Sequence, residues 1–221
     1  MRVVLALFAA LAMITLVSCD GVEETAAPPI EERFVTADDA PGSKPDPVET
    51  RETTEDFDEF IRTLSDRAID PDPEEMTRVF EEAGFESAGI DTRFYGETHK
   101  SGSSTHVVSS FIRLASEHDA ASALDWLETD LRKPCPDSCA IRISTFNADD
   151  LPNGLGVHAI ATADDIARLG RADQRPFESY WFGFFDGAFT YTVDLFGPPG
   201  SVSQEHALKI ARAYHDRLTG S

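Results

Sequence analysis

The stretch Phe177–Phe196 constrains the fold of this chain more than any other. It reads Phe-Glu-Ser-Tyr-Trp-Phe-Gly-Phe-Phe, then Asp186-Gly187, then Ala-Phe-Thr-Tyr-Thr-Val-Asp-Leu-Phe. Asp-Gly between two runs of alternating apolar residues is the strongest short-range hairpin signal. With Asp186 and Gly187 as a two-residue turn, Phe184 is expected opposite Phe189, Phe182 opposite Tyr191, and Tyr180 opposite Val193. Side chains alternate along a strand, so these pairs share one face. That face is aromatic or β-branched and has to be covered. The other face carries Trp181, Gly183, Thr190 and Thr192 and is mixed. The hairpin is therefore expected at the centre of an antiparallel sheet.

The rest of the chain supplies strands and covering helices. A helix with Phe57, Phe60, Ile61, Leu64 and Ala68 on one face is expected after a Thr53 or Thr54 cap. Asp72-Pro73-Glu74-Glu75 starts a second, with Met76, Val79, Phe80 and Ala83 inward and Gly84 at its end. Residues 93–98 and 105–115 read as two strands. Ser116-Glu-His-Asp119 is a capping pattern for a helix with Leu124, Leu127 and Leu131, stopped before Pro134. Residues 141–146 and 156–163 read as two more strands; 164–176 is either a short helix or a polar loop. After the hairpin, Pro198-Pro199-Gly200 breaks the chain, and Ser201 or Ser203 caps a last helix with Ala207, Ile210, Ala211, Tyr214 and Leu218 inward. This order predicts an α+β fold: an antiparallel sheet of about six strands with amphipathic helices packed on it.

Charge divides the chain. The net charge is −21, and residues 20–59 hold 14 acidic and 3 basic side chains. Residues 19–52 are acidic, rich in Pro, Thr and Ala, and have Phe34 as their only aromatic. They read as a disordered, self-repelling linker. Residues 53–221 are then expected as one domain, and 41% hydrophobic content is enough for a sizeable core. Neither half has the basic stripe that phosphate neutralisation requires, which argues against a nucleic-acid partner.

At the N-terminus, Arg2 precedes an apolar run, Val3 to Val17, closed by Leu16-Val17-Ser18-Cys19. The run is short for a membrane span, since about 20 apolar residues are needed, and Asp20 ends it. This segment resembles the lipobox of bacterial lipoprotein signal peptides. The resemblance implies cleavage after residue 18, a diacylglyceryl group on Cys19, and a membrane-lipid partner through that acylated cysteine. It places the chain at the cell membrane, on the extracytoplasmic face. Asp20 resembles the inner-membrane retention signal of Gram-negative lipoproteins, which would mean the periplasmic side of the inner membrane in such a host. The element order, with the lipobox, also resembles the PsbP-like α/β sandwich of small actinobacterial lipoproteins. That resemblance carries no site residues.

Local motifs for chemistry are few. Cys135-Pro-Asp-Ser-Cys139 sits in an oxidising compartment if the lipobox is used, so a Cys135–Cys139 disulfide is expected. The same residues resemble the metal motif of SCO-type copper chaperones, but the strand-then-helix context of that family is reversed here. His99, His106, His118, His158, His206 and His215 are scattered and give no metal-ligand spacing. His118 and His206 fall in first turns of expected helices, with surface or capping roles as the default. No serine elbow and no calcium loop occurs. Catalytic residues, metal and cofactor are therefore all expected to be none. A ligand, if there is one, is expected at Trp181, Phe185 and Thr192 on the mixed face, where a Trp beside Gly183 leaves room for a flat or apolar group. Arg168, Arg171 and Arg175 are a second candidate, for an anion. Two functions stand at this point. One is a membrane-tethered, non-catalytic binding domain for a small ligand or an envelope protein. The other is an envelope hydrolase or redox enzyme whose site assembles only in the fold.

Overall fold

A computed structural model describes residues 28–48, 51–67, 72–96, 104–131, 141–148, 151, 154–168 and 175–221. The described residues begin with a 3-10 helix, Ile30–Arg33, and two short strands, β1 (Ser43–Pro45) and β2 (Glu52–Thr54). Helices α1 (Phe57–Arg67) and α2 (Pro73–Glu82) follow, then strands β3 (Ser87–Tyr95) and β4 (Thr105–Arg113) and helix α3 (Glu117–Leu131). The second half holds β5 (Arg142–Asn147), β6 (Leu155–Ala161), the short helix α4 (Ala163–Arg168), β7 (Phe177–Asp186), β8 (Phe189–Gly197) and α5 (Gln204–Thr219). The strands form one antiparallel sheet in the order β1-β3-β4-β8-β7-β6-β5, and β2 also pairs with β3. The aromatic hairpin β7–β8 is central. The described residues form eight strands rather than six, because β1 comes from the stretch expected to be a linker and β2 takes its last residue, Glu52, with Thr53 and Thr54, which were expected to cap a helix.

Local rules account for the helix starts. Asp72 accepts from the Glu75 amide at 3.1 Å with Pro73 in the first turn, and Ser203 accepts from the His206 amide at 3.3 Å. Ser116 and Asp119 close their capping pair: the Asp119 amide donates to the Ser116 hydroxyl at 3.3 Å. The start of α1 differs from expectation. Asp56 caps it, accepting from the Glu59 amide at 3.0 Å, because Thr53 and Thr54 are taken into β2.

The hairpin keeps its expected faces but not its expected register. Asp186 pairs with Phe189, Phe184 with Tyr191, Phe182 with Val193 and Tyr180 with Leu195, so the turn residues are Gly187 and Ala188. Two-residue hairpin turns of the primed types need positive φ at their first position, and Gly187 supplies it there at +50°. The register then moves by two residues in total, so no side chain changes face.

The aromatic face of the sheet is buried under α5. Phe182, Phe184, Tyr191, Val193 and Leu195 pack with Ala207, Ile210, Ala211 and Tyr214, and all are at most 1% exposed. Tyr214 donates a hydrogen bond to the Arg33 carbonyl. This ties the last helix to the segment expected to be disordered. That expectation fails over residues 28–48, because Phe34 and Val35 are core residues, 0% and 1% exposed. Phe34 packs on Phe111 with ring centroids 5.4 Å apart, over Gly89, where a Cβ would lie 2.7 Å from the Phe34 ring. Arg33 lies over the Phe189 ring at 4.3 Å. The acidic composition hid an anchoring pair of apolar residues.

The mixed face is covered at one end only. There α1, α2 and α3 pack Phe60, Phe80, Ala120 and Ala123 against Ala88, Ile112 and Phe185 of the sheet. The Thr190 hydroxyl, fully buried, donates to the Ala120 carbonyl of α3 at 3.1 Å. No helix of the described residues is long and apolar enough to cross a membrane.

Candidate functional site: a cavity on the mixed face of the sheet

Beyond the helix-covered end, the mixed face is left as the floor of a cavity of about 950 Å³. Such volumes are typical of small-molecule sites. The alternation of β7 and β8 decides what points into it. Trp181, Ser179 and Phe177 come from β7, and Thr192, Asp194 and Phe196 from β8. From β4, Val108 and Ser110 join them. Val157 and Ala159 of β6 and Ile143 of β5 make one apolar side, and Phe60, Leu64 and Leu127 of α1 and α3 make another.

Polar atoms on this floor are few and paired in a strip. The Ser110 and Thr192 hydroxyls lie 2.7 Å apart, directly across the β4–β8 ladder. The Ser179 hydroxyl donates to Asp194 at 2.5 Å. Asp194 stands between Val108 and Trp181 in the sheet, so its nearest cross-strand neighbours are apolar. Burial pushes its carboxyl up to about 6, opposed in part by the Ser179 hydrogen bond. The charged residues of the described lining are Arg51, Glu52, Glu59, Asp130 and Asp194. Arg51 turns its guanidinium to the opposite face of the sheet. Its Nε is 3.3 Å from Asp91, and its charge lies 4.5 Å over the Phe34 ring.

The residues expected at a ligand site divide. Trp181 and Thr192 line the cavity, whereas Phe185 packs beneath the helices. The space beside Gly183 is taken by the indole of Trp181 itself. A Cβ at Gly183 would stand 2.4 Å from the indole and 2.6 Å from Leu124. Glycine therefore seats the Trp, rather than leaving a slot for a ligand. Arg168 ends α4 and Arg175 is exposed ahead of β7; Arg175 is not part of the described lining. Arg171, Cys19, Cys135 and Cys139 lie outside the described residues. Sequence reasoning missed Asp194, Ser179 and Ser110. The one available signal was a carboxylate two residues after Thr192 in an otherwise apolar or neutral strand, on the same face.

Histidines meet carboxylates elsewhere. His158 Nε2 is 3.0 Å from Glu178 and stacks on Tyr180 at 4.5 Å, on the α5 side of the sheet. Burial raises the Glu178 carboxyl, but hydrogen bonds from the Gly200 amide, His158 and Tyr180 outweigh it and hold the carboxyl below its usual range. His106 is 3.4 Å from Asp46, both buried, and stacks on Phe196. His206 sits in the first turn of α5 with its ring 3.4 Å from the Tyr95 hydroxyl. No histidine or cysteine is among the described lining residues. No group of three or more potential metal ligands occurs among the described residues.

The fold has a solved counterpart. The chain is similar to the extracellular domain of PknH from Mycobacterium tuberculosis, with a TM-score of 0.51, 9% identity, and 81% of this chain and 86% of that chain covered. It is also similar, at a TM-score of 0.39 and 12% identity, to a putative uncharacterized protein (Rv0999 ortholog) from Mycobacterium smegmatis, over 80% of this chain and 90% of that one. At that TM-score and identity, the likeness to the PknH domain is one of fold alone. No family model and no curated protein matches the chain.

Proposed function

We propose that this protein is a lipid-anchored, extracytoplasmic domain that binds a small apolar ligand in the cavity on the mixed face of its sheet. The cavity carries the reading: about 950 Å³, with mostly apolar walls and a short polar strip on the floor. The His158–Glu178 and His106–Asp46 pairs lie off the described lining. Extracytoplasmic placement rests on the lipobox residues Leu16–Cys19 and is in keeping with the fold shared with the PknH extracellular domain.

Two experiments test the two halves. Fractionation of a Cys19→Ser variant should find it released from membranes or retained as the uncleaved precursor; a membrane-bound variant of mature size contradicts the anchor. For the cavity, the full chain in phospholipid nanodiscs is titrated with N-phenyl-1-naphthylamine, an apolar fluorophore. Saturable enhancement above that of empty nanodiscs, lost in Ala159→Trp, supports the site. Enhancement equal in the two proteins contradicts it.

A further inference from the structure

The cavity floor holds a carboxyl that an apolar ligand alone does not answer. That carboxyl, Asp194, stands there with one hydrogen-bond donor, the Ser179 hydroxyl at 2.5 Å, and apolar neighbours on both sides. Asp194 is half-buried, and a carboxylate recessed among apolar side chains with no cation beside it among the described residues is costly; such groups cluster at functional sites. At its rim the lining adds Glu52 and Glu59, both exposed, with Glu59 3.8 Å from Arg62. Its one cation among the described residues, Arg51, gives its guanidinium to Asp91 on the other face. Walls of Trp181, Val157, Ile143 and Leu64 would meanwhile take hydrocarbon or an aromatic ring.

We propose that the ligand is an apolar or aromatic amine, its ammonium group seated on Asp194 and its hydrocarbon body against Trp181 and the β5–β6 wall. This names the ligand class of the site proposed above and rests on that reading. The ammonium completes what the floor lacks. It donates to Asp194 and, beside it, to the Thr192 and Ser110 hydroxyls, whose lone pairs exceed their mutual hydrogen bond. Charge-assisted hydrogen bonds in a recessed site are about twice as strong as neutral ones, so charge, and not shape alone, selects the ligand. The Asp194 carboxylate favours a cation and repels fatty acids and other anionic amphiphiles. A ligand that instead offered a carbonyl would need Asp194 protonated, and its binding would rise on acidification.

The test uses two isosteres, 2-naphthylmethylamine and 2-naphthylmethanol, with the full chain in nanodiscs and calorimetry as the readout. At pH 7.5 the amine should bind about tenfold or more tighter than the alcohol. Asp194→Asn, which keeps an acceptor for Ser179, should erase that preference. On acidification from pH 7.5 to 5 the wild-type preference should fall, because burial holds the Asp194 carboxyl up to about 6 and it takes a proton in that window. The other titratable or charged groups around it are Arg51, Glu52, Glu59 and Asp130 of the lining, and His106, beside Phe196 and held by Asp46. A preference or a pH step that persists in Asp194→Asn belongs to those groups and overturns the proposal. Equal binding of the two compounds by the wild type overturns it too, while leaving an apolar site standing. Binding of neither above empty nanodiscs overturns the site and the ligand class together.

Discussion

Arg217, in the last helix, grips Asp39 with two nitrogens, Nε at 3.0–3.1 Å from both carboxylate oxygens and Nη2 at 2.8 Å from Oδ2. The same guanidinium donates to the Glu32 carbonyl at 2.6 Å and the Phe34 carbonyl at 2.7 Å. The Asp39 side chain is 3% exposed, so this is a buried carboxylate, served among the described residues by one cation and by the Thr36 amide and hydroxyl at 2.8 and 2.9 Å. One side chain thus fastens the acidic N-terminal segment to the C-terminal helix, and holds Phe34 in the core by its backbone. Arg217→Ala leaves Asp39 and two carbonyls without this donor. A loss of roughly 3–5 kcal/mol is expected in urea unfolding. Hydrogen exchange should localise early exposure to residues 28–48. Unchanged protection there would show that Phe34 and Val35 hold the segment unaided.

The core assignment of the central hairpin makes a second expectation. Phe184 is fully buried, stacked on Tyr191 at 5.4 Å and edge-on to Tyr214 at 5.7 Å. Phe184→Ala should cost roughly 3–5 kcal/mol, as truncation of a buried Phe does. Phe185→Ala, across the strand in the smaller and partly open cluster, should cost less. Equal losses would mean that the two faces are equally tightly packed.

Asp194 predicts an unusual pH profile for stability. Its folded carboxyl is held at about 6 against an ordinary value of 3.8, so the folded state takes up its proton first. The sign follows from linkage. Where the folded chain binds more protons than the unfolded one, stability falls as pH rises. The loss accumulates from about pH 4 to about pH 6 and is complete above. Asp194→Asn should therefore raise stability at pH 7.5, by roughly 3 kcal/mol at most, and add nothing at pH 3.5. Denaturation at the two pH values measures the difference. A variant destabilised equally at both would show that Asp194 is held for structure. A gain at neutral pH is what a carboxylate kept for binding produces.

How much of this was legible in the sequence depends on how local each feature is. The faces of the hairpin, the Asp72, Ser116 and Ser203 caps, and the inward faces of α2 and α5 all follow from alternation or from a few adjacent residues. The hairpin register was not legible, because Asp-Gly and Gly-Ala turns keep the same residues inward and differ only in where a positive φ falls. The fold of residues 28–48 was hidden for another reason. Composition averaged over an acidic stretch hides Phe34 and Val35, whose partners Phe111 and Ser109 lie far along the chain. The cavity draws on strands from both halves of the chain and on three helices. No window of sequence contains it, and Trp181 and Thr192 were found only because the central hairpin carries both.

The most direct measurement of the central claim is native mass spectrometry of the full chain purified from its own envelope, beside Ala159→Trp. Ala159 lies on the apolar side of the cavity, between Ile143 and Ser179 in the sheet. A Trp there fills ligand space without touching the α5 core. The account predicts a wild-type protein carrying a small molecule of defined mass, apolar and positively charged, and a variant that folds with the same thermal transition and carries none. A variant that folds and still retains that molecule would place the ligand elsewhere and contradict the account.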